Sequence, residues 1–122
     1  MLFRVFLLTS AIVMAASQSV FGAFQMGAGT VRCGEWTRLR TFNDRQTGHA
    51  KEIAALNQVQ AWVDGFISGI NAEGERTDFL SSKPQSAALY AVVDSHCRAS
   101  PLDTVSDAAI ELVKELRKRA QR

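Results

Sequence analysis

Cysteine and histidine are scarce in this chain, with two of each among 122 residues. A structural zinc site wants four N or S ligands at recognisable spacing. His96 and Cys97 are neighbours within a predicted helix. Their side chains therefore diverge by about 100°, too far to chelate one metal or to act as a thiol–imidazole pair. His49 precedes a helix and is expected to be exposed. No Cys-x-x-C is present, which argues against a redox enzyme. No nucleophile–base pair stands out, and no carboxylate pair with visibly different environments. Asp64 reads as a solvated helix-face residue, and Asp78 and Asp94 have no obvious partner. No charge sign dominates: 14 Lys+Arg face 12 Asp+Glu. A basic stripe for nucleic acid is absent, and the one cationic cluster is the tail Lys114-Glu115-Leu116-Arg117-Lys118-Arg119. The sequence has no internal repeat, no low-complexity tract and no strand pattern longer than a few residues.

Only one long apolar run occurs. Met1-Leu2-Phe3-Arg4 places a positive charge ahead of Val5–Ala16, and small and polar residues follow. This is the layout of a secretory signal peptide. The run is shorter than the roughly 20 residues that span a hydrocarbon core. Val20 and Gly22 fit cleavage before Ala23; Ala15 and Ser17 fit an earlier cut before Gln18. An uncleaved membrane anchor is the competing reading. The expected division is a signal peptide over 1–22 and one domain over 23–122, periplasmic, with no stable membrane insertion after processing.

Two cysteines in an exported chain are expected to pair, Cys33 with Cys97. Closing so long a loop stabilises the fold by roughly 4 kcal/mol in the chain-entropy model. That is a large share of the ~5–15 kcal/mol of a whole domain.

Residues 23–32 are glycine-rich and aperiodic and read as a flexible lead-in. A short helix is predicted over 33–42, with Trp36, Leu39 and Phe42 on one face, and a polar loop over 43–48. The clearest helix runs from Ala50 to Ala72, with Ile53, Leu56, Val59, Val63, Phe66, Ile67 and Ile70 at three- and four-residue steps. Gly74 supplies its stop. Phe79 and Leu80 are expected to fold back onto the core. A third helix is predicted over Pro84–Arg98, with proline in its first turn. Its apolar face is Ala88, Leu89, Val92, Val93 and Cys97. A last helix is predicted with Ser100 as N-cap, Pro101 as first residue and Asp103 third. Val105, Ala109, Leu112, Val113 and Leu116 form its stripe, and Glu111–Lys114 and Glu115–Arg119 are expected ion pairs. The fold class is all-α, a bundle of three to four short helices with one disulfide.

Gly65 and Gly69 lie one turn apart inside the long helix, each costing ~1 kcal/mol against alanine. Close helix–helix approach is the expected compensation; a kink or fraying end is the alternative. Trp62 and Phe66 are one turn apart. They read either as core or as an aromatic anchor for a partner, tryptophan being enriched in interface hot spots. Tyr90 is placed to hydrogen-bond across helices.

Trp62-Val63-Asp64-Gly65-Phe66-Ile67-Ser68-Gly69-Ile70-Asn71 resembles the aromatic-x-x-Gly-aromatic-x-x-Gly helix of the Rap1a/Tai type of small periplasmic immunity proteins. Leu89 to Pro101 is similar to that group's penultimate helix running into a proline-started last helix, where Ala108, Ala109, Leu112 and Val113 match its small-then-aliphatic pattern. The resemblance covers about Gln60 to Leu116. It implies a helical domain that blocks a toxin's active cleft with a rigid surface. In size, export, cysteine count and helicity the chain also resembles the HdeA-type periplasmic acid-stress chaperones. The resulting expectation is a non-catalytic periplasmic protein-binding domain whose partner is a toxin or client protein, with no cofactor and no metal. An acid-stress chaperone and a small hydrolase are the alternatives.

Overall fold

A computed structural model of the chain describes residues 27–44, 49–74 and 77–122. The proposed signal peptide and residues 23–26 lie outside these, as does most of the loop expected over 43–48. The described residues form four α-helices after a single 3₁₀ turn: α1 (Cys33–Asp44), α2 (Ala50–Glu73), α3 (Ser86–Ala99) and α4 (Val105–Ala120). The all-α class holds among them, and Cys33 and Cys97 are bonded.

Each helix follows from its apolar spacing. On α2 the buried stripe is Leu56, Val59, Val63 and Ile67, steps of three and four that keep to one side of a 3.6-residue helix. Ile53, expected in that stripe, is 44% exposed. Helix α3 buries Leu89, Tyr90, Val93 and Cys97; Ala88, expected on that face, is exposed. On α4 the whole predicted stripe is buried, joined by Ser106 and Ala108. Burying each of its valines and leucines contributes about 1.5–3 kcal/mol, an upper estimate because unfolded chains are partly compact. Both expected ion pairs are present, Lys114–Glu111 at 2.6 Å and Arg119–Glu115 at 2.9 Å.

The core joins all four helices around Trp36, Val63, Ile67, Val93, Val105 and Leu112. Phe79 folds back into it at 4% exposure, and Leu80 packs half-buried beside it.

Three sequence expectations need correction. The lead-in is ordered from Gly27 onward: Gly27–Thr30 makes a 3₁₀ turn, and Arg32 forms an antiparallel bridge with Thr104. Pro84 precedes the N-cap Gln85 of α3 rather than sitting in its first turn. Helix α4 starts at Val105, with Thr104 and not Ser100 as N-cap. Ser100 instead closes α3, its N–H donating to the His96 carbonyl at 2.9 Å. Thr104 and Asp107 form a reciprocal capping box, which satisfies two orphan backbone donors of the first turn.

Candidate functional site

The start of α1 and the loop before α4 are strapped together, and this decides where both helices begin. The first N–H groups of a helix lack intrahelical acceptors. Those of Cys33 and Gly34 donate to the carbonyls of Asp103 (2.8 Å) and Pro101 (3.1 Å). In return Val105 N–H donates to the Val31 carbonyl at 2.8 Å. The carbonyls of Pro101 and Asp103 are thus taken by α1, which holds this stretch in a loop ahead of α4. The disulfide lies directly beneath, both cysteines within 1% of complete burial. His96 Nε2 and Asp103 Oδ2, 2.9 Å apart, tie the end of α3 to the same loop.

At the tip of this braced loop stands Leu102, 83% exposed. The Arg32 guanidinium donates to its carbonyl at 2.7 Å. Pro101 and Arg32 are exposed beside it. An isolated exposed leucine is ordinary. This one is set apart by its support, because the backbone on both sides is fixed by cross-chain hydrogen bonds and a disulfide. Sequence reading missed it by taking Leu102 as a residue within the last helix.

The expected contact residues Trp62 and Phe66 stack on one another, ring centres 5.0 Å apart and planes at 14°. Both are half-buried and pack against the core cluster. Trp62 also lies under the 3₁₀ turn, where Gly29 is needed: a Cβ there would fall 2.2 Å from the indole ring. The close approach expected of Gly65 and Gly69 is made by this glycine instead. Both α2 glycines are exposed, and a Cβ on either would meet nothing within 4 Å among the described residues. No described helix uses the room they leave.

All three carboxylates singled out in the sequence are engaged. Asp94 accepts the Trp36 indole N–H at 2.7 Å and a forked pair from Arg40 at 3.1 and 2.9 Å. Trp36 is fully buried, with Tyr90 edge-on to it at 5.9 Å. Asp64, expected to be solvated, is half-buried and accepts the Tyr90 hydroxyl at 2.7 Å. This is the cross-helix bond expected of Tyr90. Burial of the phenol, reinforced by the hydrogen bond to the Asp64 carboxylate, pushes Tyr90 up to about 12, so it stays a neutral donor. Asp78 bonds the Asn71 amide and the Leu80 N–H. His49 is exposed and makes no side-chain cap.

Among the described residues, no three His, Cys, Asp or Glu side chains converge as metal ligands, and no helix is long and apolar enough to cross a membrane. The fold and its best-supported surface define a disulfide-braced helical bundle that presents an apolar knob. No family model matches the sequence, and comparison with curated proteins and with solved structures yields no match.

Proposed function

We propose that this chain is an exported, non-catalytic protein-binding domain of the periplasm, and that the braced Pro101-Leu102 loop is its contact point. Export is supported by the amino-terminal charge-then-apolar pattern and by the buried disulfide, which belongs to an oxidising compartment. The observation that carries binding is Leu102, held 83% exposed on a loop pinned by the disulfide and cross-chain hydrogen bonds. Burying such a side chain in a partner contributes about 1.5–3 kcal/mol. A preorganised loop loses little further entropy on docking. The guanidinium of Arg32 beside the knob suits a partner whose apolar cleft has a carboxylate at its edge.

The narrower form of the proposal is an immunity role, in which the knob enters and blocks a toxin's cleft. The resemblance of Trp62–Asn71 to the glycine helix of periplasmic immunity proteins supports it. The test is capture from periplasmic extract on oxidised protein, comparing wild type with Leu102→Asp and Cys33→Ser. A partner retained by wild type and lost from Leu102→Asp at unchanged helicity is the expected result. Equal retention by both, or no retention by wild type, overturns the reading.

One observation favours the acid-stress alternative. The Asp94 carboxylate accepts from both the Trp36 indole and the Arg40 guanidinium where α1 meets α3, so that contact rests on charge as well as on apolar packing. Tryptophan fluorescence followed from pH 7 to pH 2 decides this. An unchanged, compact state removes the chaperone reading.

A further inference from the structure

Helix α2, the start of α3 and the Phe79–Pro84 connection surround a hollow of about 300 Å³. It is separate from the braced loop. Its floor is apolar, made by Ile67, Leu80 and Leu89. Its polar lining is Asp64, Ser68, Lys83 and Ser86. An apolar floor with convergent polar groups around it, at this volume, suits a small ligand that carries both kinds of surface.

The carboxylate is fixed and incompletely satisfied. Tyr90, itself 9% exposed, donates to Asp64 Oδ2 at 2.7 Å, and the Ser86 hydroxyl lies 3.5 Å from the same oxygen. The other oxygen, Oδ1, is buried and has no donor. A buried acceptor left unpaired is costly, the more so on an ionised group. What it lacks is a donor, preferably a charged one. A cationic amine supplies both, and its hydrocarbon body would lie on Ile67, Leu80 and Leu89. Lys83 adds the second half of the recognition: its charge disfavours a second cation and suits a carboxylate on the same ligand.

Oδ1 has no accessible surface, so entry requires a wall to give. Among the lining residues Lys83 has a φ of 50°, in the left-handed region. A side-chain-bearing residue is disfavoured there, and the residue before a proline prefers an extended backbone.

We infer that this hollow binds a small amino acid, its ammonium on Asp64, its carboxylate towards Lys83 and its aliphatic part on the Ile67–Leu80–Leu89 floor. The experiment is amide chemical-shift titration of the oxidised full chain with four probes: L-valine, 4-aminobutyrate, n-butylamine and butyrate. At least one of the two zwitterions is expected to give saturable shifts around Asp64, Ser86 and Leu80, binding at least tenfold tighter than either half-ligand. Asp64→Asn is expected to weaken that zwitterion at least tenfold, and Lys83→Met to bring it level with butylamine. Thermal melting of both variants verifies that they remain folded. Absence of saturable shifts with either zwitterion, butylamine binding as tightly in wild type, or an Asp64→Asn variant that is folded and binds unchanged would each overturn the inference. None of these outcomes bears on the Leu102 surface.

Discussion

The indole N–H of Trp36 donates to Asp94 Oδ1 at 2.7 Å, joining α1 to α3 across 58 residues of sequence. Asp94 is thereby the shared acceptor at which α1 and α3 meet. It fixes the largest side chain of the core and neutralises Arg40, whose guanidinium lies 5.9 Å over the Trp36 ring.

Replacing that carboxylate removes the acceptor of the buried Trp36 indole. Asp94→Ala is expected to destabilise the fold by about 1–3 kcal/mol, from an unpaired buried donor. Asp94→Asn keeps an acceptor for the indole and is expected to lose less. Urea unfolding followed by tryptophan fluorescence measures both; equal losses would show that the bond to Trp36 contributes nothing.

The glycines divide by environment. Gly29→Ala drives a methyl into the Trp62 ring, which Phe66 restrains from behind, and is expected to cost about 1–3 kcal/mol. Trp62→Leu should relieve most of that cost in the double variant. Gly65→Ala and Gly69→Ala meet open space and are each expected to stabilise α2 by about 0.5–1 kcal/mol. Thermal melts of the three single variants must fall on opposite sides of wild type if the packing is as described.

The disulfide closes 64 residues of sequence. Its loss, in Cys33→Ser/Cys97→Ser or in reductant, is expected to lower stability by about 4 kcal/mol. A melting temperature unchanged in reductant, with both thiols detected as free, contradicts this.

The start of α4 offers a pH test. Backbone and side-chain hydrogen bonds from Thr104 hold the Asp107 carboxyl below its ordinary 3.8. A depressed carboxylate adds stability that is complete above its unfolded value and is lost as pH falls through the lower folded value. The gap between wild type and Asp107→Asn should therefore be flat above about pH 5 and close below about pH 4. Thr104→Ala is expected to cost about 1 kcal/mol, and Ser100→Ala less. The reverse order would return the cap to Ser100.

The α4 boundary shows where sequence reading stops. Ser100-Pro101-Leu102-Asp103 and Thr104-Val105-Ser106-Asp107 are both sound local start signals. The choice between them is made by Cys33 and Gly34, whose N–H groups take the carbonyls of Asp103 and Pro101. Nothing near residue 100 in the sequence reports that demand. Likewise Asp94 looks partnerless until α1 is laid beside α3. Gly65 and Gly69 suggest close packing by their spacing alone, while Gly29, in a segment without periodicity, is the one that provides it.

Legible in the residues alone were the helical class, the course of α2 and of the body of α4, the inward face of α4 and the pairing of Cys33 with Cys97. These depend on a repeat of about 3.6 residues and on there being only two cysteines, both visible in short stretches of chain. The helix starts at 86 and 105, the partners of Asp64 and Asp94, the cradle over Trp62 and the exposure of Leu102 emerge once the helices are packed. Each of these depends on which distant backbone donors, acceptors and surfaces meet, and that is fixed by how the helices pack, not by the order of residues within any one of them.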